Sequence, residues 1–237
     1  MTKYIHTEQE INYSAGAELI SSYLIDLFNP KSVIDVGCGY GKWLKSFSDK
    51  GIEDIFGADG AYIDKSKLLI PTGNFYDVDL EKPLKIDRTF ELLLCLEVAE
   101  HLTSKRADSL VFDLVQLSNV IVFSAAIPFQ GGQGHINEHL PQYWVELFEK
   151  NGYSCYDIVR PTFWNNREVE WWYRQNILIF INRNYPVNLV ATKVIKPLIS
   201  EELYECYLRR INQLERKIIN FKTIKRYIKN TLIFNVK

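Results

Sequence analysis

At 237 residues, 47% of them hydrophobic, the chain is long enough for one sizeable α/β domain with an appendage. It has no run of about 18 apolar residues to span a membrane, and its opening, Met-Thr-Lys-Tyr-Ile-His-Thr-Glu, lacks the apolar centre of a signal peptide. A net charge of −1 and four scattered cysteines (Cys38, Cys95, Cys155, Cys206) without a C-x-x-C pair exclude a basic nucleic-acid module, a zinc ribbon and a disulfide scaffold; a cytoplasmic location is expected.

Residues 8–29 predict a helix, broken near Ser14–Gly16, with Leu19, Ile20, Tyr23, Leu24, Leu27 and Phe28 at helical spacing. Asn29-Pro30 ends it. Val33, Ile34 and Val36 then form a β-branched run suited to a buried parallel strand. Gly37, Gly39 and Gly41 follow at alternate positions, where glycine permits positive φ and close approach of a ligand to the backbone. A helix starts near Gly41, so free N–H groups face whatever lies over the turn.

A strand, a glycine turn and a helix can hold a dinucleotide, a phosphate or another nucleoside. The stretch lacks both the dinucleotide fingerprint G-x-G-x-x-G/A and the Gly-Lys-Ser/Thr ending of a P-loop. It reads Asp35-x-Gly37-x-Gly39-x-Gly41. Behind a hydrophobic strand, Asp-Val-Gly-Cys-Gly-x-Gly resembles the first motif of the class I S-adenosylmethionine (SAM)-dependent methyltransferases. That resemblance implies a Rossmann-like α/β fold with a seven-stranded sheet and SAM as cosubstrate.

The next helix spans residues 42–49, and Asp54–Asp59 is the second strand. Asp59, about 20 residues past the glycines, stands where an acid accepts the hydroxyl hydrogens of an adenosine ribose. Residues 74–80 resemble the third family motif, which places an acid near the adenine amino group and the next backbone N–H against the ring. Asp79 and Leu80 match those roles, with Asp77 as a competitor. The resemblance thus assigns Asp35, Gly37, Gly39, Asp59, Asp79, Leu80 and Glu97 to SAM. Pro83 marks a loop. Phe90–Leu96 is almost continuously apolar and so a central strand. Ligands of open α/β sheets lie beyond the carboxyl ends of strands, so the residues that follow should line the reaction chamber.

Those residues are Glu97-Val-Ala-Glu100-His101. A helical turn here would put Glu97 on one face with Glu100 and His101, and two carboxylates with an imidazole invite Mn2+ or Mg2+. Glu-x-x-Glu-His resembles the metal motif of the small-RNA 2′-O-methyltransferases and of the ubiquinone-biosynthesis O-methyltransferases. In the former, a histidine after the fifth strand completes the site. Here the helix Ser104–Leu117 and fifth strand Val120–Ala125 lead to Gly131-Gly-Gln-Gly-His135-Ile-Asn-Glu-His139. The glycines suit a loop that closes over substrate. The metal set expected is Glu97, Glu100, His101 and His135, with His139 the alternative to His135. Without metal, His135 or His101 would act as general base on the acceptor hydroxyl; His135, His101 and Glu97 are the catalytic candidates.

Pro141–Gly152 predicts a helix, Tyr153–Arg160 the sixth strand and Asn176–Asn182 the last. Trp164, Trp171, Trp172 and Tyr173 crowd the connection between them. Aromatic faces among Arg and Asn suit a sugar, or a nucleotide attached to one, and equally a folded cover on the core. Gly-Gly-Gln-Gly-His-Ile-Asn-Glu-His-Leu-Pro-Gln-Tyr-Trp, with Trp-Tyr-Arg-Gln-Asn later, resembles bacterial sugar O-methyltransferases found with surface-polysaccharide assembly enzymes. It implies a sugar or nucleotide-sugar substrate. RNA ribose 2′-O-methylation is the rival, against which the acidic body argues; a non-catalytic SAM-binding assembly subunit is a second.

The boundary read from sequence lies at 182, with a methyltransferase domain over 1–182 and a linker and basic helical extension over 183–237. From Tyr207 to Lys237 nine Lys/Arg face one acid, Glu215, for a charge of +8 that leaves the rest near −9. Tyr204, Tyr207, Ile211, Leu214, Ile218, Phe221, Ile228 and Leu232 follow three–four spacing, interrupted by Lys225. This predicts a homodimer seam, packing on the domain, or a basic face for a membrane surface or an assembly enzyme.

Overall fold

A computed structural model describes residues 14–234, without the side chains of 219–221 and 223–234. The seven strands are β1 (Ser32–Val36), β2 (Asp54–Asp59), β3 (Phe75–Asp77), β4 (Leu92–Leu96), β5 (Val120–Ser124), β6 (Tyr153–Tyr156) and β7 (Leu178–Asn182). The helices are α1 (Ala15–Phe28), α2 (Lys42–Asp49), α3 (Ala107–Leu117), α4 (Pro141–Lys150), α5 (Val159–Phe163), α6 (Trp171–Asn176) and α7 (Glu201–Phe234). The strands form one sheet in the order β3-β2-β1-β4-β5-β7-β6. All neighbours are parallel except β7, which runs antiparallel to both β5 and β6. This is the Rossmann-like α/β architecture expected.

Every residue of β1, β4 and β5 is buried, because helices cover both faces of the sheet. Alternation then divides the core. Ile34, Leu93, Ile121 and Phe180 join α3 and α4 residues on one face. Val33, Leu92, Leu94, Val122 and Ile179 join residues of α1, α2, α5 and α6 on the other.

Local chemistry sets the boundaries. Ser14 caps α1 by accepting the Ala17 N–H at 3.1 Å, so the expected break near Ser14–Gly16 is a helix start. Residues 8–13 of the expected helix lie outside the described residues. Strand β6 stops at Tyr156 instead of Arg160, because the buried Arg160 folds back on Asp157 and donates to the Lys196 carbonyl at 3.1 Å. The residues taken for the start of the last strand, Asn176 and Ile177, precede β7; Asn176 ends the short helix α6.

Residues 183–198, read as a linker, are tied to the first unit. Thr192 donates to the Cys155 carbonyl at 2.8 Å and accepts from the Asp157 N–H at 3.0 Å, and Ile195 joins the core. The first compact unit accordingly ends at Leu198 and the second begins at Ile199. The second is α7, 34 residues and about 50 Å long. No helix among the described residues is long and apolar enough to cross a membrane.

Arg106 holds the loop beside the site. Its buried guanidinium donates to the carbonyls of Leu80 at 2.8 Å and Lys82 at 3.0 Å and pairs with Asp113, which also accepts the Leu84 N–H at 2.8 Å. Arg106→Ala strands a buried carboxylate and two carbonyls, and should cost about 3–5 kcal/mol in urea denaturation. The double variant Arg106→Met/Asp113→Leu should recover more than half of that loss.

Candidate active site

The strand order reverses at β1 and β4, and chemistry-bearing residues collect at their carboxyl ends. After β1, Gly37 (φ 84°), Gly39 (φ 54°) and Gly41 (φ 84°) all take the left-handed conformation. A Cβ on Gly37 would lie 2.3 Å from Val98 Cγ2, so this glycine is required sterically as well. Gly41 opens α2 with no side-chain cap. At the end of β2, Asp59 clamps the turn: Oδ2 accepts the Gly39 N–H at 2.7 Å, and Oδ1 accepts the Gly60 N–H at 2.6 Å and the Tyr62 hydroxyl at 2.7 Å.

Asp35 is 2% exposed, and its Oδ2 has no hydrogen-bond partner among the described residues. Burial, reinforced by the Asp59 charge and opposed by Lys42, pushes its carboxyl up to about 8. Asp79 follows β3 and accepts the Glu81 N–H at 3.2 Å, while its neighbour Leu80 is buried. The competitor Asp77 pairs with Lys65 at 2.5 Å. Asp35, Gly37, Gly39, Asp59, Asp79, Leu80, Glu97, Glu100, His101 and His135 all line one cavity of about 1440 Å³. A pocket for one drug-sized ligand needs roughly 300–1,000 Å³, so there is room for a nucleoside and a second molecule.

Beyond β4 the expected helical turn is replaced. Glu97 takes φ 55°, and Ala99–His101 form a 3-10 turn. With its backbone left-handed ahead of that turn, Glu97 does not join Glu100 and His101 as one helical face. Its carboxylate instead accepts Gln130 Nε2 at 3.1 Å and Asn176 Nδ2 at 3.2 Å. Burial raises its pKa against these hydrogen bonds.

Glu100 is fully buried, and neither carboxylate oxygen has a well-aligned donor among the described residues. Burial and then the nearby Glu97 charge drive its pKa well above the carboxylate range. Ligand atoms of Glu100, His101 and His135 lie within 4.8 Å of one another. Glu97 and His139 are outside that group.

Backbone bonds bring His135 there. The Glu100 carbonyl accepts the Ile136 N–H at 2.8 Å and the Asn137 N–H at 3.1 Å, and Asn137 Nδ2 donates to the Ala99 carbonyl at 3.1 Å. The His101 and His135 rings stand edge to face at 4.9 Å. Gly132, at φ 153°, leaves room for the His135 ring; a Cβ there would come within 2.1 Å of Nε2. His135 Nδ1 lies 2.9 Å from Glu138 Oε1, a carboxylate acceptor that makes Nδ1 the donor of this bond. His139 stacks on Tyr143 at 3.8 Å and meets Asn137 Oδ1 at 2.9 Å.

Three residues near the reaction chamber were not singled out from sequence. Gln130 read as loop, Asn176 as strand, and Ser124, whose carbonyl and hydroxyl oxygens both accept the Glu97 N–H at 3.1 Å, as strand end. The one signal was two adjacent amides, Gln175-Asn176, before the apolar run of β7. Trp171, Trp172 and Tyr173 line the cavity, and Tyr173 packs edge to face on Trp43 at 5.0 Å.

The Asp35 carboxyl yields a stability prediction. Unfolded, it ionises in the ordinary range; folded, it holds its proton to about pH 8. Its contribution is present below about pH 4 and lost as pH rises through 8. Asp35→Asn should therefore gain in melting temperature over the parent between pH 5 and pH 8 without ligand. A gap that does not change with pH would sink the buried-acid reading.

A methyltransferase domain family matches residues 9–176. The fold is similar to the methyltransferase domain of a bacterial CtHen1, at 20% identity and TM-score 0.53 over 72% of this chain and 100% of that one. It is also similar to the sugar N-methyltransferase KedS8 of Streptoalloteichus sp., at 12% identity and TM-score 0.59 over 77% and 96% of the two chains. DesVI of Streptomyces venezuelae matches at 13% identity and TM-score 0.53 over 76% and 100%. No curated protein matches. The family match over most of the chain, on a fold with this glycine turn, shows that the protein belongs to the methyltransferase domain family, as a class I SAM-dependent methyltransferase.

Proposed function

We propose that the chain transfers the methyl group of SAM to a sugar hydroxyl, assisted by Mn2+ or Mg2+ at Glu100, His101 and His135. One observation carries this reading: a fully buried carboxylate with no well-aligned donor among the described residues lies with two imidazoles in the cavity that the glycine turn opens into. A buried carboxylate is costly unless paired or bound to a cation, and this donor set fits one. On the SAM side, Asp35 Oδ2 is a buried acceptor without a hydrogen-bond partner among the described residues, suited to a cationic ligand. Asp59 suits the ribose hydroxyls, and Asp79 with the Leu80 N–H suits adenine.

A divalent cation, when bound, supplies Lewis acidity that lowers the pKa of an acceptor hydroxyl. Gln130 and Asn176 orient Glu97, whose raised pKa suits it to take the hydroxyl proton while both imidazoles are engaged. Without a cation, His135 Nε2 or His101 is the base. In either case the S–CH3 bond breaks as O–CH3 forms in line.

Trp171 and Trp172 offer aromatic faces to a sugar ring. Among the described residues lining the cavity, Lys42 is the single Lys or Arg. A nucleic-acid backbone is held chiefly by several Lys and Arg side chains, which favours a sugar ring in the cavity over an RNA end.

SAM turnover against a panel of free and nucleotide-linked sugars, in EDTA and then with Mn2+ or Mg2+, tests the reading. Turnover should require the metal and fall by about a hundredfold or more in Glu100→Ala, with SAM binding retained. Equal turnover in EDTA removes the cation and leaves the histidine base. Methylation of short RNA ends but of no sugar replaces the acceptor.

A further inference from the structure

We propose that α7 pairs with the α7 of a second copy of this chain as an antiparallel coiled coil. Tyr204, Tyr207, Ile211, Leu214, Ile218, Phe221, Lys225, Ile228 and Leu232 follow one another at alternating spacings of three and four without a break. A stripe with that repeat drifts by about 20° per heptad around a straight helix. Keeping all of it on one seam requires a partner helix that supercoils with it. Among the described side chains, Tyr204, Ile211, Leu214 and Ile218 are each more than half exposed. Phe221, Lys225, Ile228 and Leu232 enter by sequence position alone.

Charge selects the direction. The helix opens with Glu201, Glu202 and Glu205, and after Ile218 its charged residues are Lys222, Lys225, Arg226 and Lys229; Arg209, Arg210, Arg216 and Lys217 with Glu215 lie between. A parallel pair would set these cations against their own copies, with Lys225 facing Lys225 in the seam. Antiparallel pairing sets Tyr204 of one copy against Ile228 of the other, Ile211 against Phe221 and Leu214 against Ile218. The Glu201–Glu205 end then lies alongside the Lys225–Lys229 end, with Glu201 flanking the seam on the side of Lys229 and Lys225 at the position opposite Tyr207. The register spans residues 201–231 of the helix and closes on itself by two-fold symmetry. A seam of this length buries on the order of 1,500 Å², within the range of stable interfaces.

Sedimentation equilibrium of the full chain at micromolar concentration should give a dimer. Leu214→Glu should raise its dissociation constant by about a hundredfold. In a Cys206→Ser background, mild oxidation of Ile211→Cys alone or Phe221→Cys alone should give no cross-link, and a mixture of the two should give a disulfide-linked dimer. A monomer, a dimer indifferent to Leu214→Glu, or self-cross-linking of Ile211→Cys would overturn the proposal. So would a monomer that floats with phosphatidylglycerol vesicles, which would give the face to a membrane.

Discussion

The chain winds outward from β1 through β2 to β3 and then returns to β4 on the other side of β1, so the connections diverge and neither covers the carboxyl ends of this central pair. A crevice at that point is a consequence of winding. What fills its walls follows from where each strand stops. Val36 gives way to the glycines and Leu96 to Glu97, so the left-handed turn and the acid and histidine turn face one cavity. Both strands are buried on both faces, which makes their ends rigid supports for polar groups.

Those polar groups are held at a cost. Asp35 and Glu100 lie in surroundings that favour the neutral acid. Such groups lower the stability of the empty protein at neutral pH and are complemented by cationic ligands. The SAM sulfonium and ammonium and the proposed divalent cation are charges of that kind. The family membership establishes the first, and the second rests on the grouping of Glu100, His101 and His135.

The chamber wall is fastened by amides and backbone rather than by charge. Gln130 accepts from the Ile127 N–H and from Asn176 while donating to Glu97. The Glu100 carbonyl receives two N–H groups from the glycine-rich segment. His135 therefore reaches His101 through bonds that involve no titrating side chain. Its ring orientation depends on Glu138 and on the space left at Gly132.

By itself the sequence determined whatever depends on near neighbours along the chain. The β-branched run and alternate glycines prescribe a strand and a left-handed turn, the apolar run of Phe90–Leu96 prescribes a central strand, and three–four spacing prescribes the helix α7. Tertiary structure decided what depends on contacts far apart in sequence. Glu97 is turned out of the expected helical face and takes Asn176, 79 residues away, as its partner. That same residue ends a helix where periodicity suggested a strand. His135 directly follows Gly134 in sequence, with His139 four residues further on, and the pairing of the loop with the Glu100 carbonyl is what brings the first of them to His101. Spacing fixes φ, ψ and periodicity within a segment, but which side chains meet across segments is set by sheet order and by where each buried polar group finds a hydrogen bond.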